Sequence, residues 1–175
     1  MTVRLVNRLG RAGLLVDDRV VDVERVSAGS LPPDPMAALD RWDELVALAA
    51  RAGDADGDPY DPDALGPCVP RPQKVFGIAL NYRSHAEETG AELPPAPSVF
   101  TKFPSCLAGP ASDVALPSAF VDWEAELVAV IGRGGRDITP EAAMDHVAGY
   151  CVGQDFSERR VQMAGSRPQF CLAKS

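Results

Sequence analysis

The stretch that decides the fold is VDWEAELVAVI, residues 121–131. Its β-branched and aromatic residues favour an extended strand. Because side chains alternate between the two faces of a strand, Glu124 and Glu126 point to the same side. Two neighbouring carboxylates repel each other unless a cation lies between them. The strand therefore predicts a cation-binding edge or, as the simpler interpretation, charged residues that protect an exposed edge from aggregation.

A second polar cluster follows in the run QDFSERRVQ, residues 154–162. The spacing i, i+4, i+7 predicts that Asp155, Arg159 and Gln162 share one face of a helix. A carboxylate can hold a divalent metal, and a guanidinium can bind a substrate carboxylate through two parallel hydrogen bonds. The combination is typical of a metal-assisted enzyme that acts on small organic acids.

A histidine marks the third cluster, NYRSHAEE, residues 81–88. The cluster follows the apolar run 74–80, so that His85 lies where a buried strand opens into a loop. If the segment turns helically, Glu88 at i+3 orients the imidazole and tunes its basicity. A pair of unrelated surface residues is the alternative interpretation.

The order of these clusters resembles that of the fumarylacetoacetate hydrolase family. The motifs, in chain order, are N-Y-x-x-H-x-x-E (81–88), PSVFTK (97–102), DWEAEL (122–127), D-x-x-x-R-x-x-Q (155–162) and LAKS (172–175). The resemblance covers about residues 73–175, and the agreement of five motifs in order is far more specific than any one of them.

The resemblance implies an α+β, mostly β fold. Residues 73–175 would form a mixed β-sheet, roll-like or barrel-like catalytic domain, and residues 1–60 a small N-terminal α+β domain, with a linker over residues 61–72. The family pattern continues beyond the Lys174-Ser175 motif, so we expect the catalytic domain to be incomplete at its C-terminus.

The resemblance also assigns a metal site. Glu124, Glu126 and Asp155 would hold one Mg²⁺ or Mn²⁺ ion. Carboxylate oxygens, completed by water and substrate oxygens, suit these hard cations, whereas the lack of histidine or cysteine at ligand spacing argues against zinc.

The other implied roles concern catalysis and substrate binding. His85 with Glu88 would activate water, and Lys174 would stabilise developing negative charge. A preorganised donor of this kind is typically worth ~3–4 kcal/mol. The substrate-binding residues would be Tyr82, Arg159 and Gln162.

The function implied is divalent-metal-dependent hydrolysis of a carbon–carbon bond in a small acylpyruvate or β-diketo acid. One alternative is decarboxylation or tautomerisation of an oxaloacetate-like 2-oxo acid, which needs the same enolate but no attack by water. Another is a non-catalytic, truncated remnant or partner subunit. Family members pair as homodimers, so a homodimer is expected, and a missing C-terminal segment is a further possible partner.

Composition limits the classes of partner and the cellular locations expected for the protein. The net charge of −8 and the pI near 4.7 disfavour nucleic acid and anionic membranes as partners. Residues 156–175 reverse this sign locally, which would attract an anionic substrate. The four cysteines have no Cys-x-x-Cys spacing, and no signal peptide or membrane-spanning apolar run is present. These features predict a cytoplasmic protein with reduced thiols.

Local patterns predict the remaining elements. A β-meander is expected between Val3 and Val23, and a helix with Asp34 as its N-cap and Pro35 as its first residue should end near Gly53. Residues 54–72 are rich in Asp, Pro and Gly and predict an exposed linker. Further expected elements are strands near 74–80, 98–103, 123–131 and 148–154, a turn at 132–135 and a helix at 140–146 that is capped by Thr139.

Overall fold

The computed structural model describes residues 3–175, so the first two residues of the predicted N-terminal domain lie outside the described part. The chain forms two compact units, and each is described by itself. The first unit runs up to Arg71 and also contains residues 107–114 and 126–153. The second unit consists of residues 72–106, 115–125 and 154–175. The predicted domain boundaries stay a prediction.

An antiparallel five-stranded sheet forms the first unit's N-terminal part. Its strands are β1 (Leu5–Arg8), β2 (Arg11–Val16), β3 (Arg19–Asp22), β4 (Asp58–Pro59) and β5 (Leu65–Gly66), in the order β4-β3-β2-β1-β5. The β1–β2 turn consists of Leu9 and Gly10, with φ angles of 51° and 83°. Two positive φ angles match the twist of a hairpin, and glycine adopts them without steric cost. The predicted meander is confirmed.

Three short helices pack on this sheet: α1 (Val23–Val26), α2 (Pro35–Leu39) and α3 (Trp42–Ala49). Asp34 caps α2 as predicted, because its Oδ1 accepts a hydrogen bond from Ala37 N at 3.0 Å. The prediction of one continuous helix to Gly53 is wrong. The chain leaves the helical conformation at Arg41, whose φ is −112° and whose guanidinium instead binds the Glu44 carboxylate.

The first unit contains a hydrophobic core between the sheet and these helices. The core is formed by small and branched aliphatic side chains: Ala12, Leu14, Val23, Leu31, Ala38, Leu45, Leu48 and Ala52. Burial of each Leu or Val contributes about 1.5–3 kcal/mol. The N-terminal sheet is therefore stabilised by apolar packing.

The segment predicted to be an exposed linker has structure of its own. Its strands β4 and β5 pair with β3 and β1, so that Asp58 lies opposite Val20 and Gly66 opposite Asn7. A 3₁₀ helix at Pro62–Ala64 connects them. Both strands cover edges of the sheet that would otherwise expose unpaired backbone groups, which explains why a polar segment becomes ordered.

A second hairpin belongs mainly to the first unit. It pairs β9 (Ala125–Ile131) with β10 (Val147–Gln154), close to the predicted strands. Between them, the predicted helix lies at Pro140–His146 and has 3₁₀ geometry, and Thr139 occupies the predicted N-cap position without a capping side-chain hydrogen bond.

The second unit contains two short antiparallel ladders, three α-helices and a 3₁₀ helix at Pro104–Cys106. The elements are β6 (Val75–Ala79), α4 (Arg83–Thr89), β7 (Ser98–Lys102), β8 (Val121–Asp122), β11 (Ser157–Glu158), α5 (Arg159–Gln162) and α6 (Phe170–Ala173). β6 pairs with β7, and β8 pairs with β11. The predicted strands near 74–80 and 98–103 are confirmed.

The predicted helix that would carry Asp155, Arg159 and Gln162 on one face is wrong at its N-terminal end. Asp155 lies in the connection between β10 and β11, and α5 begins only at Arg159. Ser157 and Glu158 pair with β8 as a strand, and Glu158 then caps α5 by accepting a hydrogen bond from Val161 N. A pairing with a distant strand therefore overrides the local helical pattern.

Two further features concern the predicted reduced thiols and the predicted lack of a membrane-spanning segment. All four cysteines are free thiols. Across residues 3–175, no helix is long and apolar enough to cross a bilayer.

Candidate active site

Glu124 lies between β8 and β9, and its Oε1 atom accepts three contacts. The donors are Arg159 Nη1 at 2.8 Å, Lys174 Nζ at 2.9 Å and Ser157 Oγ at 3.3 Å. Burial raises the pKa of Glu124, but the hydrogen bonds and charges of Lys174 and Arg159 outweigh burial and hold the pKa below its ordinary value. Glu124 is therefore ionised at neutral pH.

Asp155 is the most buried carboxylate of the site, with 6% of its surface exposed. Its backbone N–H donates to the Glu124 carbonyl at 2.9 Å. Lys102 Nζ donates to Oδ1 at 2.7 Å, and Lys174 Nζ donates to Oδ2 at 3.1 Å. A buried carboxylate is costly unless it is paired, and each oxygen of Asp155 has an ammonium partner.

Lys174 follows α6 and is 4% exposed. Besides its two carboxylate partners, its ammonium donates to Ser157 Oγ at 2.6 Å and lies 5.5 Å from the centre of the Phe100 ring. All three N–H donors of the ammonium therefore have acceptors. The buried cation joins the carboxylates of Glu124 and Asp155.

The structure brings the three predicted metal ligands together. One oxygen from each of Glu124, Glu126 and Asp155 lies within 4.8 Å of the other two. The group offers oxygen donors alone, which suit Mg²⁺, Mn²⁺ or Ca²⁺ better than zinc. The residues present therefore fit a hard divalent cation.

Arg159 is held by acceptors on both sides. Its Nε and Nη2 atoms donate to Asp122 Oδ2 at 3.3 and 2.8 Å, and Nη1 also donates to Gln162 Oε1 at 2.9 Å. Burial lowers the pKa of Arg159, but the hydrogen bonds to Asp122 and Glu124 outweigh burial and raise it. Arg159 and Gln162 are thus in contact, at a spacing of i, i+3 within α5.

The other predicted catalytic residues lie on α4. His85 and Glu88 are exposed, and Tyr82 is 53% exposed at the N-cap position. Within residues 3–175, no hydrogen bond or ion pair joins the side chains of His85 and Glu88 to each other, to Glu124 or to Asp155. Their catalytic roles stay a prediction.

Three residues of this network are absent from the predicted set. Lys102 is the last residue of the motif PSVFTK, and Asp122 is the first residue of the motif DWEAEL. Nothing in the local sequence distinguishes a lysine that ends a strand from any surface lysine. Ser157 is fully buried with its hydroxyl on Lys174 and Glu124. Its only signal in the sequence was its place between Asp155 and Arg159.

The fold and this site define a family. The model of the fumarylacetoacetate hydrolase C-terminal domain matches residues 74–175, which is more than half of the chain. The chain therefore belongs to the fumarylacetoacetate hydrolase family, and the resemblance seen in its motifs is confirmed.

Individual relatives refine this assignment. A mitochondrial oxaloacetate tautomerase of Xenopus laevis is 42% identical over 171 residues, which are 94% of this chain and 53% of the relative. The crystal structure of a Mycobacterium smegmatis protein named after HpcE superposes with a TM-score of 0.87 and 45% sequence identity. The match covers 98% of this chain and 61% of the M. smegmatis chain. The predicted α+β, mostly β fold is thereby confirmed.

A third relative shows a ligand. The maleylpyruvate hydrolase of Sphingobium sp. SYK-6, solved with manganese(II) and pyruvate, is 26% identical with a TM-score of 0.72, over 89% of this chain and 59% of that one. The chain thus spans about half the length of the tautomerase and three fifths of both solved relatives.

Proposed function

We propose that the protein is a divalent-metal-dependent enzyme that acts on a small 2-oxo or β-diketo acid through an enolate. The observation that carries the proposal is the meeting of ionised Glu124 and buried Asp155 at Lys174, with Glu126 within 4.8 Å. The manganese and pyruvate in the Sphingobium relative support this choice of cation and acid.

Glu124, Glu126 and Asp155 would hold one Mg²⁺ or Mn²⁺ ion. When bound, the ion would supply a Lewis acid that polarises a carbonyl oxygen of the acid. Lys174 is the most buried of the chain's own cations at these carboxylates, and its ammonium would donate a hydrogen bond to an oxygen that gains negative charge. Such a donor acts strongly where water is excluded.

The substrate would be bound by Arg159, Gln162 and Tyr82. Arg159 and Gln162 would bind substrate oxygens, because a guanidinium and an amide side by side match a carboxylate. Tyr82 would add a further contact. His85 would hold or remove a proton at a ring nitrogen, with Glu88 one helical turn away to orient the imidazole.

The leading reaction is hydrolysis of an acylpyruvate-like acid. Water adds to the acyl carbonyl, the carbon–carbon bond breaks, and its electron pair stays on the pyruvate fragment as an enolate that takes up a proton. His85 would accept the proton of the water. The hydrolase among the relatives supports this reaction.

Tautomerisation of an oxaloacetate-like acid is the second candidate. In the enol-to-keto direction, a proton leaves the enol oxygen and another adds to the neighbouring enol carbon, without attack by water. The relative that covers 94% of this chain is an oxaloacetate tautomerase, and this observation favours the second reaction. Decarboxylation of the same acid would instead release carbon dioxide, and the electron pair of the broken bond would remain as the enolate of pyruvate, which then takes up a proton.

Product analysis by ¹H NMR separates the reactions. The protein is incubated with Mg²⁺ or Mn²⁺ and either an acylpyruvate or the enol form of oxaloacetate. Hydrolysis yields pyruvate and a second acid, tautomerisation yields the keto form alone, and decarboxylation yields pyruvate and carbon dioxide. Metal binding with none of these products would favour the non-catalytic alternative.

Two neighbouring arginines provide a matched test of substrate binding. Arg159→Ala should raise KM for the acid with little change in kcat, because its guanidinium adjoins Glu124 and Gln162. Arg160 instead stacks on the Phe120 ring at 3.3 Å, so Arg160→Ala should leave KM unchanged. An equal effect of both substitutions would argue against the assigned role of Arg159.

We propose in addition that the protein is a homodimer located in the cytoplasm. Family membership supports the dimer, and the acidic composition is compatible with the location. Light scattering combined with size-exclusion chromatography tests the first point. Microscopy of a tagged protein tests the second, for which the mitochondrial relative is the contrary case.

A further inference from the structure

The ammonium of Lys102 forms an ion pair with the most buried carboxylate of the site. Its Nζ atom lies 2.7 Å from Asp155 Oδ1, and the two side chains are 16% and 8% exposed. The assigned roles of the site leave this ammonium unused. We propose that Lys102 is a positioning residue that holds and neutralises Asp155 in the metal-free protein and competes there with the cation.

The fold presents Lys102 to the site rigidly. It is the last residue of β7, and five consecutive residue pairs join β7 to β6, ending with Val75 opposite Lys102. Phe100, two residues earlier and therefore on the same face, stacks on Phe170 of α6 with ring centres 5.4 Å apart. The same face of β7 thus supports both ammonium groups of the site.

The balance of charges at Asp155 explains why the metal-free protein needs Lys102. Asp155 receives Lys102 on Oδ1 and Lys174 on Oδ2, but Lys174 is shared with Glu124. Glu124 also pairs with Arg159, but without Lys102 the buried Asp155 would depend on the ammonium of Lys174 that it shares with Glu124. Asp155 would then be under-compensated, which destabilises the metal-free protein.

The same charge must oppose a divalent cation. An ammonium 2.7 Å from Asp155 Oδ1 repels any cation that approaches that carboxylate, and the repulsion is weakly screened where water is excluded. This inference rests on the proposed metal centre. It predicts two effects of opposite sign when the Lys102 charge is removed: lower stability without metal and tighter binding of metal.

The test compares Lys102→Met, which keeps the length of the side chain but not its charge, with Lys102→Arg. Titration calorimetry with MnCl₂ should give a roughly tenfold lower Kd for Lys102→Met and a nearly unchanged Kd for Lys102→Arg. In EDTA, Lys102→Met should melt about 3–6 °C below the parent protein. Lys74→Met, at an exposed lysine that precedes β6, is the matched control and should change neither quantity.

An unchanged or weaker affinity of Lys102→Met for Mn²⁺, or an unchanged melting temperature in EDTA, would overturn the role of Lys102. If Lys102→Met does not fold, Lys102→Gln takes its place, because its amide still donates to Asp155 without a charge. A parent protein that binds no Mn²⁺ would overturn the proposed metal centre itself. Binding by the parent with no tightening in the variant would overturn only this inference.

Discussion

The two units of the molecule are stabilised in opposite ways. In the first, the buried side chains are mainly aliphatic, such as Leu14, Leu45 and Leu48. In the second, the fully described residues include only two buried apolar side chains, both alanines, beside buried Asp155, Ser157, Glu158 and Lys174. Buried ionic networks contribute little net stability, although breaking one is costly. Among the described residues, the buried side chains of the second unit are therefore mainly polar or charged, whereas those of the first unit are mainly apolar.

The largest effect should come from the exposed histidine of the second unit. In the assay of the proposed reaction, His85→Ala should lower kcat by ~10²–10⁴ with little change in KM, as expected for loss of a general base. The other histidine, His146, bonds to the Arg133 carbonyl in the first unit, and His146→Ala is the control. Steady-state turnover of an acylpyruvate at the parent rate by His85→Ala would exclude hydrolysis by this dyad and favour tautomerisation or decarboxylation.

The next effect separates packing from function. Leu45 is fully buried in the first unit, so Leu45→Ala should lower the free energy of unfolding by about 2–5 kcal/mol. Its neighbour Val46 is 40% exposed, and Val46→Ala should change stability by less than about 0.5 kcal/mol. Denaturant titration measures both. A large loss of Mn²⁺ affinity in folded Leu45→Ala protein would contradict the separate roles of the apolar core and the proposed metal site.

The third prediction concerns Asp155, the most buried carboxylate of the candidate site. Asp155→Ala removes one of three oxygen ligands and leaves Lys102 and Lys174 without their shared partner. Affinity for Mn²⁺ should fall by at least roughly 10–100-fold, the range that loss of even outer partners of a metal site produces. Calorimetry measures the loss, and the exposed Asp113→Ala serves as control. Equal affinities of parent and Asp155→Ala would remove this ligand from the site.

The same contrast explains what the sequence could predict. The first unit follows local rules: the meander comes from alternation and tight turns, and the start of α2 from the Asp34-Pro35 pair. The acidic cluster of the proposed metal site was predictable because Glu124 and Glu126 are two residues apart on an extended segment, and because the motifs of a known family occur in order.

The charged network was harder to predict because it depends on distant pairings. Ser157 and Glu158 pair with β8, about 36 residues earlier, and this contact breaks the helix expected from the spacing of Asp155 and Arg159. Lys102 reaches Asp155 across 53 residues. A lysine at the end of a strand gives no local sign of such a partner.

The smallest predicted effect concerns a surface ion pair in the first unit. Arg11 donates two hydrogen bonds to Asp22, and these hold the pKa of Asp22 below its ordinary value of 3.8. A lowered folded-state pKa stabilises the protein above the unfolded value, and the stability is lost as the pH falls below 3.8 and through the folded value. Asp22 is largely covered but its partner is half exposed, so the contribution should be about 1 kcal/mol or less.

Asp22→Asn tests this contribution, because asparagine can still cap α1 while the charge is lost. Urea titrations between pH 3 and 7 should show parent and variant converging at the acidic end and diverging by about 1 kcal/mol or less near neutrality. Asp18→Asn, in the exposed turn before β3, is the control and should follow the parent throughout. A difference between parent and Asp22→Asn that grows as the pH falls would reverse the sign of the argument. It would show that the charge of Asp22 lowers the free energy of unfolding, and that the Arg11–Asp22 pair does not stabilise the first unit.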